Sequence, residues 1–141
     1  MDEINLKSFF KDKKLRMSHP RLMIYQQLSA TVNPLSPQEM YRSLLREERR
    51  IGLTSIYRCL DLFETLGIAF RVVLGAQVKY KLCEMEGHHH HIVCKRCGLV
   101  AELNFCDMSK WSRKVMKTTG YQLTDHQLSF LGLCRTCRER T

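Results

Sequence analysis

Apolar and polar positions follow a helical rhythm through the first half of the chain and change rhythm near residue 83. Ile4 to Lys13 predicts a short helix. Ser18 and Pro20 predict the cap and first turn of a second helix reaching about Ala30, with Leu22, Met23, Tyr25 and Leu28 as its apolar side. Asn33-Pro34-Leu35 reads as a loop, and Ser36-Pro37-Gln38-Glu39 as a capping box that starts a third helix. Met40, Tyr41, Leu44 and Leu45 mark its apolar positions, followed by exposed Arg46 to Arg50. Thr54 predicts the cap of a fourth helix, Ser55 to Leu66, ended by Gly67, with Ile56, Leu60, Phe63 and Leu66 facing inward. From Ile68 to Leu82, β-branched and aromatic residues flank Gly75-Ala76 and predict a hairpin. Three helices followed by such a wing make a winged helix-turn-helix, with the first helix as an extension.

The second half reads as β-β-α-β. His89 to Cys94 and Leu99 to Asn104 predict strands, Asp107 the cap of a helix to Thr119 ended by Gly120, and Tyr121 to Gly132 a strand-rich stretch. A unit of about 50 residues is too small to be very stable alone and needs zinc, a partner subunit, or both. The expected class is α+β, with a winged-helix domain over residues 1–82 and a small α/β domain over 83–141.

Composition narrows the function. The 141 residues are 44% hydrophobic and 26% charged, which argues against disorder. No apolar run approaches the roughly 18 residues of a membrane span, and no secretory signal is visible, so a cytoplasmic protein is expected. The formal charge is +9; residues 1–82 carry 14 basic and 8 acidic side chains, residues 83–141 carry 9 and 6. Thiolates bound to zinc would lower the second figure further, leaving the first half basic and suited to double-stranded DNA. In a helix-turn-helix the second helix of the motif leads with its N-terminal turn into the major groove. Thr54, Ser55, Tyr57 and Arg58 are the candidates there, with Arg58 able to fork onto guanine or clamp a phosphate. Arg16, just before the second helix, suits a minor-groove or phosphate contact, and Arg21, in its first turn, a phosphate contact.

Two C-x-x-C pairs, Cys94–Cys97 and Cys134–Cys137, supply the soft tetrahedral set of a structural Zn²⁺ site. On a strand, His89 and His91 share one face, His88 and His90 the other, and each pair is a half-site for zinc, nickel or iron. Cys83 at the wing's end and Glu102 on the next strand would complete Cys83, His89, His91 and Glu102 as a second divalent-metal site, favouring zinc. Cys59 and Cys106 read as structural or incidental.

Ser18-x-Pro20-Arg21, Ser36-Pro37-x-Glu39-x-Tyr41, Thr54-Ser55-Ile56-Tyr57-Arg58, the His88–His91 run, Cys94-x-x-Cys97-Gly98, Leu123-Thr124-Asp125-His126 and Gly132-Leu133-Cys134-x-x-Cys137 together resemble the ferric-uptake-regulator family of metal-sensing repressors. The resemblance implies a homodimer, joined through its second domain, that represses transcription at pseudo-palindromic, A/T-rich operators when a sensor site fills. Cys83 looks like the sensor cysteine of the zinc-uptake regulators. Pro34 stands where the iron and peroxide branches place a histidine, Lys81 where they place a carboxylate, and Phe70 near the place of a zinc-branch hinge ligand. A further family site implies His88, His90 and His126 with an acidic residue, at whose position stands Ser109, with Asp107 as a stand-in. Metal at Cys83 would then fix the angle between the halves and the spacing of two recognition helices.

Three rival readings remain: an iron, nickel or peroxide regulator on the same scaffold; a constitutive DNA-binding protein with zinc only for folding; and a zinc hydrolase or deaminase. The last needs an H-x-E with a following P-C-x-x-C, or an H-E-x-x-H, and the chain has neither. No catalytic residues, small-molecule substrate or membrane partner are expected.

Overall fold

A computed structural model describes residues 3–85, 87–126 and 128–140. The chain forms two compact units, Met1–Glu84 and Met85–Thr141, so Cys83 belongs to the first unit and not to the second as the sequence boundary had it. Among the described residues no helix is long and apolar enough to cross a membrane.

The first unit runs α1 (Glu3–Asp12), α2 (His19–Ser29), α3 (Pro37–Arg46), α4 (Leu53–Thr65), β1 (Ala69–Leu74) and β2 (Gln77–Leu82). Its core gathers Leu6 and Phe10 from α1, Met23, Ile24, Tyr25 and Leu28 from α2, Met40 and Leu44 from α3, and Ile56, Leu60 and Phe63 from α4. Phe10 meets Phe63 edge-on, ring centroids 6.2 Å apart. Ile24, not the half-buried Leu22, completes the buried side of α2. Cys59 is buried in this core, as a small hydrophobe.

Local chemistry explains most boundaries. At α3 the box closes in both directions: Glu39 N–H donates to Ser36 Oγ at 3.2 Å, and Ser36 N–H to Glu39 Oε2 at 2.7 Å. Ser18 holds the cap position of α2 without a side-chain cap bond. The cap of α4 lies two residues before the expected one: extended Gly52 is its N-cap, its carbonyl accepting from Ser55 N–H at 2.9 Å, and Thr54 lies inside the first turn. Gly67, at φ +68°, ends α4; its N–H donates to Glu64 O and that of Ile68 to Phe63 O, the paired bonds of a Schellman motif. Strands β1 and β2 pair antiparallel across Gly75-Ala76. Leu35 is more than loop: it exchanges backbone bonds of 2.9 and 2.7 Å with Tyr80, pinning the wing to the segment before α3.

The second unit runs β3 (His90–Cys94), β4 (Val100–Leu103), α5 (Ser109–Thr119), β5 (Ser129–Gly132) and α6 (Arg135–Glu139). The sheet order is β4-β3-β5, antiparallel then parallel. Met108, not Asp107, holds the N-cap position of α5, because the Asp107 carboxylate is taken by the Ser109 hydroxyl at 2.8 Å. The expected strand-rich stretch from Tyr121 reduces to β5, and α6 was not anticipated. Among the described residues this unit buries only His90, Val93, Cys94, Gly98 and Cys137, while Phe105, Trp111, Tyr121 and Leu131 are exposed.

Burial opposes the Glu39 charge, but the Ser36 N–H and the Lys79 ammonium, 3.0 Å away, outweigh it and hold this carboxyl below its ordinary value of 4.5. A depressed folded value gives stability that is present above 4.5 and fades as the pH falls below it. Glu39→Ala is expected to cost about 1 kcal/mol, most of it in the cap, since the half-exposed ion pair adds little. Urea unfolding of the full chain followed by helical circular dichroism measures this, and the gap from the parent should shrink in acid.

Candidate metal centres and nucleic-acid surface

The two C-x-x-C pairs meet. Strand β3 ends at Cys94, and the chain reverses through Gly98 at φ +75°, with Gly98 N–H donating to Cys94 O at 2.8 Å. Cys134 caps α6, and Cys137 is buried one turn on. The pairing of Cys94 with Gly132 in parallel register brings these ends together, and Lys95 N–H donates to Gly132 O at 2.9 Å. The sulfurs of Cys94, Cys97, Cys134 and Cys137 all lie within 4.8 Å of one another. Cys97 Sγ and Cys134 Sγ are 3.6 Å apart, close to the edge of about 3.8 Å that a tetrahedral ion with 2.3 Å bonds to sulfur requires.

The electrostatics fit a cation. The Cys134 N–H, 3.3 Å from Cys94 Sγ, and then the Cys97 N–H pull the Cys94 thiol down to about 6. Burial, then the neighbouring thiols, push Cys137 up to about 12. Crowded sulfurs resist successive ionisation, and a divalent ion removes that resistance by neutralising the thiolates. Arg96 Nη1 donates to Cys137 O at 2.9 Å, tying the two knuckles together outside the sulfurs.

The His88–His91 run splits by face. His91 stands opposite Glu102 in the β3–β4 register, its Nε2 3.9 Å from Glu102 Oε1. Glu102 Oε2 accepts from Met85 N–H at 2.7 Å. The His89 ring lies 4.8 Å from that of His91, and His89 Nδ1 is 2.8 Å from Gly87 O. With its proton on Nδ1, His89 has its lone pair on Nε2, which is buried without a hydrogen-bond partner among the described residues. Cys83, in the first unit, follows β2, its N–H bonded to Ile68 O at 2.9 Å. Lys81, two residues before it, is buried with its ammonium 2.6 Å from Glu84 Oε1.

On the other face His88, His90 and His126 converge, and Cys106 joins them. Burial, then the His88 and His126 rings, hold His90 below its ordinary value, keeping the imidazole neutral. Asp107 is not among the clustered ligand atoms; its carboxylate accepts from the Ser109 hydroxyl. The sequence reading missed Cys106. The available signal was register: Leu103 pairs with His90, so the chain leaving β4 passes the His88/His90 side.

On the first unit, Thr54, Tyr57 and Arg58 are exposed on α4 and Ser55 is half-buried. Gln38 Nε2 donates to the Tyr57 hydroxyl at 3.0 Å. Arg16 is exposed, whereas Arg21 is engaged within the unit, donating to Arg16 O and lying 5.6 Å from the Phe10 ring centroid.

A basic winged helix-turn-helix followed by a unit built around clustered thiols and imidazoles is the construction of a metal-responsive DNA-binding regulator. The sequence profile of the ferric uptake regulator family matches residues 12–131. A ferric uptake regulation protein of Neisseria meningitidis serogroup A is 33% identical over 141 residues, covering 99% of this chain and 98% of its own. The ferric uptake regulator of Francisella tularensis, solved with iron, superposes with a TM-score of 0.61 at 27% identity, over 88% of this chain and 95% of its own. A zinc uptake regulator complexed with zinc and DNA shares the fold, with a TM-score of 0.81 at 20% identity over 97% and 93%. The chain belongs to the ferric uptake regulator family, whose members are dimeric, metal-responsive DNA-binding transcription regulators and not enzymes.

Structural zinc in small units supplies on the order of 10 kcal/mol of apparent folding free energy. Cys94→Ser is therefore expected to lose its tightly held zinc and to purify as unfolded or monomeric protein, read by metal analysis and light scattering. A stable, zinc-loaded Cys94→Ser dimer contradicts the assignment.

Proposed function

We propose that this regulator is a cytoplasmic repressor that senses zinc, using Cys83, His89, His91 and Glu102 as its sensor ligands and Cys94, Cys97, Cys134 and Cys137 for a permanent structural zinc. The observation that supports the reading is the His89–His91–Glu102 group: a His91–Glu102 pair 3.9 Å apart beside a His89 Nε2 that is buried with no hydrogen-bond partner among the described residues. Cys83 precedes His89 by six residues and supplies a soft donor, which with two imidazoles suits zinc better than iron. The Lys81–Glu84 pair weighs against iron, since an ammonium occupies a place where a hard-metal site wants a carboxylate. His88, His90 and His126 make a further site.

Metal held jointly by Cys83 of the first unit and ligands of the second restricts the hinge between them. In a homodimer this sets the separation of two α4 helices, which must match major grooves roughly 34 Å apart on a pseudo-palindromic operator. Without metal only a fraction of conformers is competent, and apparent affinity falls by that fraction. The exposed apolar side chains of α5 and its surroundings are the surface a second copy covers.

A second reading, iron as the sensed metal, is favoured by the names of relatives such as the Neisseria protein. Anisotropy of a family-type operator duplex against buffered free zinc, iron(II), nickel and manganese separates the two. Binding is expected to switch on with trace zinc in the parent and to lose that response in Cys83→Ser, with the structural zinc retained. An unchanged metal response in that variant refutes the sensor assignment, and a response to iron alone moves the sensed metal. Arg58→Ala is expected to weaken metal-loaded binding by about 1–3 kcal/mol without changing the metal midpoint. Equal affinity of parent and variant removes Arg58 from the interface.

A further inference from the structure

We infer that Cys106 is the fourth ligand of a closed metal site formed with His88, His90 and His126, three imidazoles and one thiolate with no carboxylate among them. This deepens the reading of those histidines as a metal site and is independent of which metal the regulator senses.

The geometry is that of a cradle. His88 Nε2 lies 3.2 Å from His90 Nε2 and 3.1 Å from His126 Nε2, and His126 Nε2 lies 3.3 Å from His90 Nε2. Three chemically equivalent nitrogens in a nearly equilateral triangle cannot all be satisfied by one another. A neutral imidazole carries one N–H, and a proton on Nε2 of each would set donor against donor. A cation at the centre satisfies all three lone pairs. Bonds of about 2.0–2.1 Å from a tetrahedral ion to nitrogen place the nitrogens about 3.3–3.4 Å apart, close to the observed triangle.

Cys106 Sγ supplies the remaining corner, 3.1 Å from His126 Nε2 and within 4.8 Å of every other ligand atom. It reaches there from the segment between β4 and α5, three residues beyond the Leu103 that pairs with His90. The neighbouring carboxylate does not compete, because Asp107 is bonded to the Ser109 hydroxyl. A cavity of about 530 Å³, lined in part by Met108, Ser109 and Asp125, opens onto His88, Cys106 and His126 and gives an ion its approach. Replacing a carboxylate by a thiolate has a chemical consequence: the set binds zinc or cobalt(II) and discriminates against manganese and magnesium, which prefer oxygen.

Cobalt(II) is the probe. The full-length dimer carrying Cys83→Ser, with zinc kept in its four-cysteine cluster, is titrated with cobalt. Expected is a tetrahedral spectrum with a sulfur-to-cobalt charge-transfer band, while the zinc content stays constant and so excludes exchange into the cluster. In the Cys83→Ser/Cys106→Ser protein that band is lost and affinity weakens at least about tenfold. Cys106→Asp, which restores an anionic ligand, binds cobalt without the band. A sulfur band that survives in the Cys106→Ser protein, or cobalt bound with no such band while Cys106 is present, overturns the role of Cys106 alone. Uptake that is the same in His126→Ala overturns the three-imidazole site itself.

Discussion

The second unit depends on one contact, the meeting of the Cys94–Cys97 turn with the Cys134–Cys137 turn. Without it the chain from β3 to α6 is a three-stranded sheet and an amphipathic helix with almost nothing buried between them. The same cluster pulls one thiol down to about 6 and pushes another up to about 12. Such opposed demands are resolved by a divalent ion. The clasp holds β5 parallel to β3, and it is β3 that carries His90 and His91 and leads directly from His88 and His89. Sulfur chemistry at one end of the strand thus fixes the imidazoles at the other.

The first unit has no such dependence. Its helices and wing share a core in which Phe63, Leu60 and Ile56 of α4 are fully buried. With its inner face committed to packing, α4 leaves Thr54, Tyr57 and Arg58 exposed on its first turns. The division of labour follows from physics: a self-sufficient apolar core presents the reading helix, and a unit too small for a core offers its thiol cluster as the place where a metal would hold it.

Local signals were readable in the sequence. The Ser36–Glu39 box, the Gly67 helix stop and the Gly75-Ala76 hairpin each depend on residues within a few positions of each other, and each forms where expected. The cysteine spacing was equally legible, because tetrahedral zinc chemistry admits few alternatives. Caps were harder: Thr54 and Asp107 have the right side chains, yet an extended Gly52 caps α4 two residues earlier and Asp107 bonds Ser109 instead. Nonlocal pairings were least visible. Leu35 meeting Tyr80, β5 running parallel to β3, and Cys106 arriving beside His126 all depend on how distant segments are brought together, which hydrophobic periodicity does not encode.

Hydrogen exchange before and after removal of the thiolate-bound zinc tests the dependence of the second unit on its sulfur clasp. The Lys95 amide, which donates to Gly132 O beside the cluster, is the reporter, and the α4 amides around Leu60 and Phe63 are the internal control. Zinc removal is predicted to release Lys95 and its β3 and β5 neighbours to fast exchange while α4 keeps its protection. Equal protection of Lys95 with and without zinc would contradict the account, since the sheet that carries the histidines would then stand without its clasp.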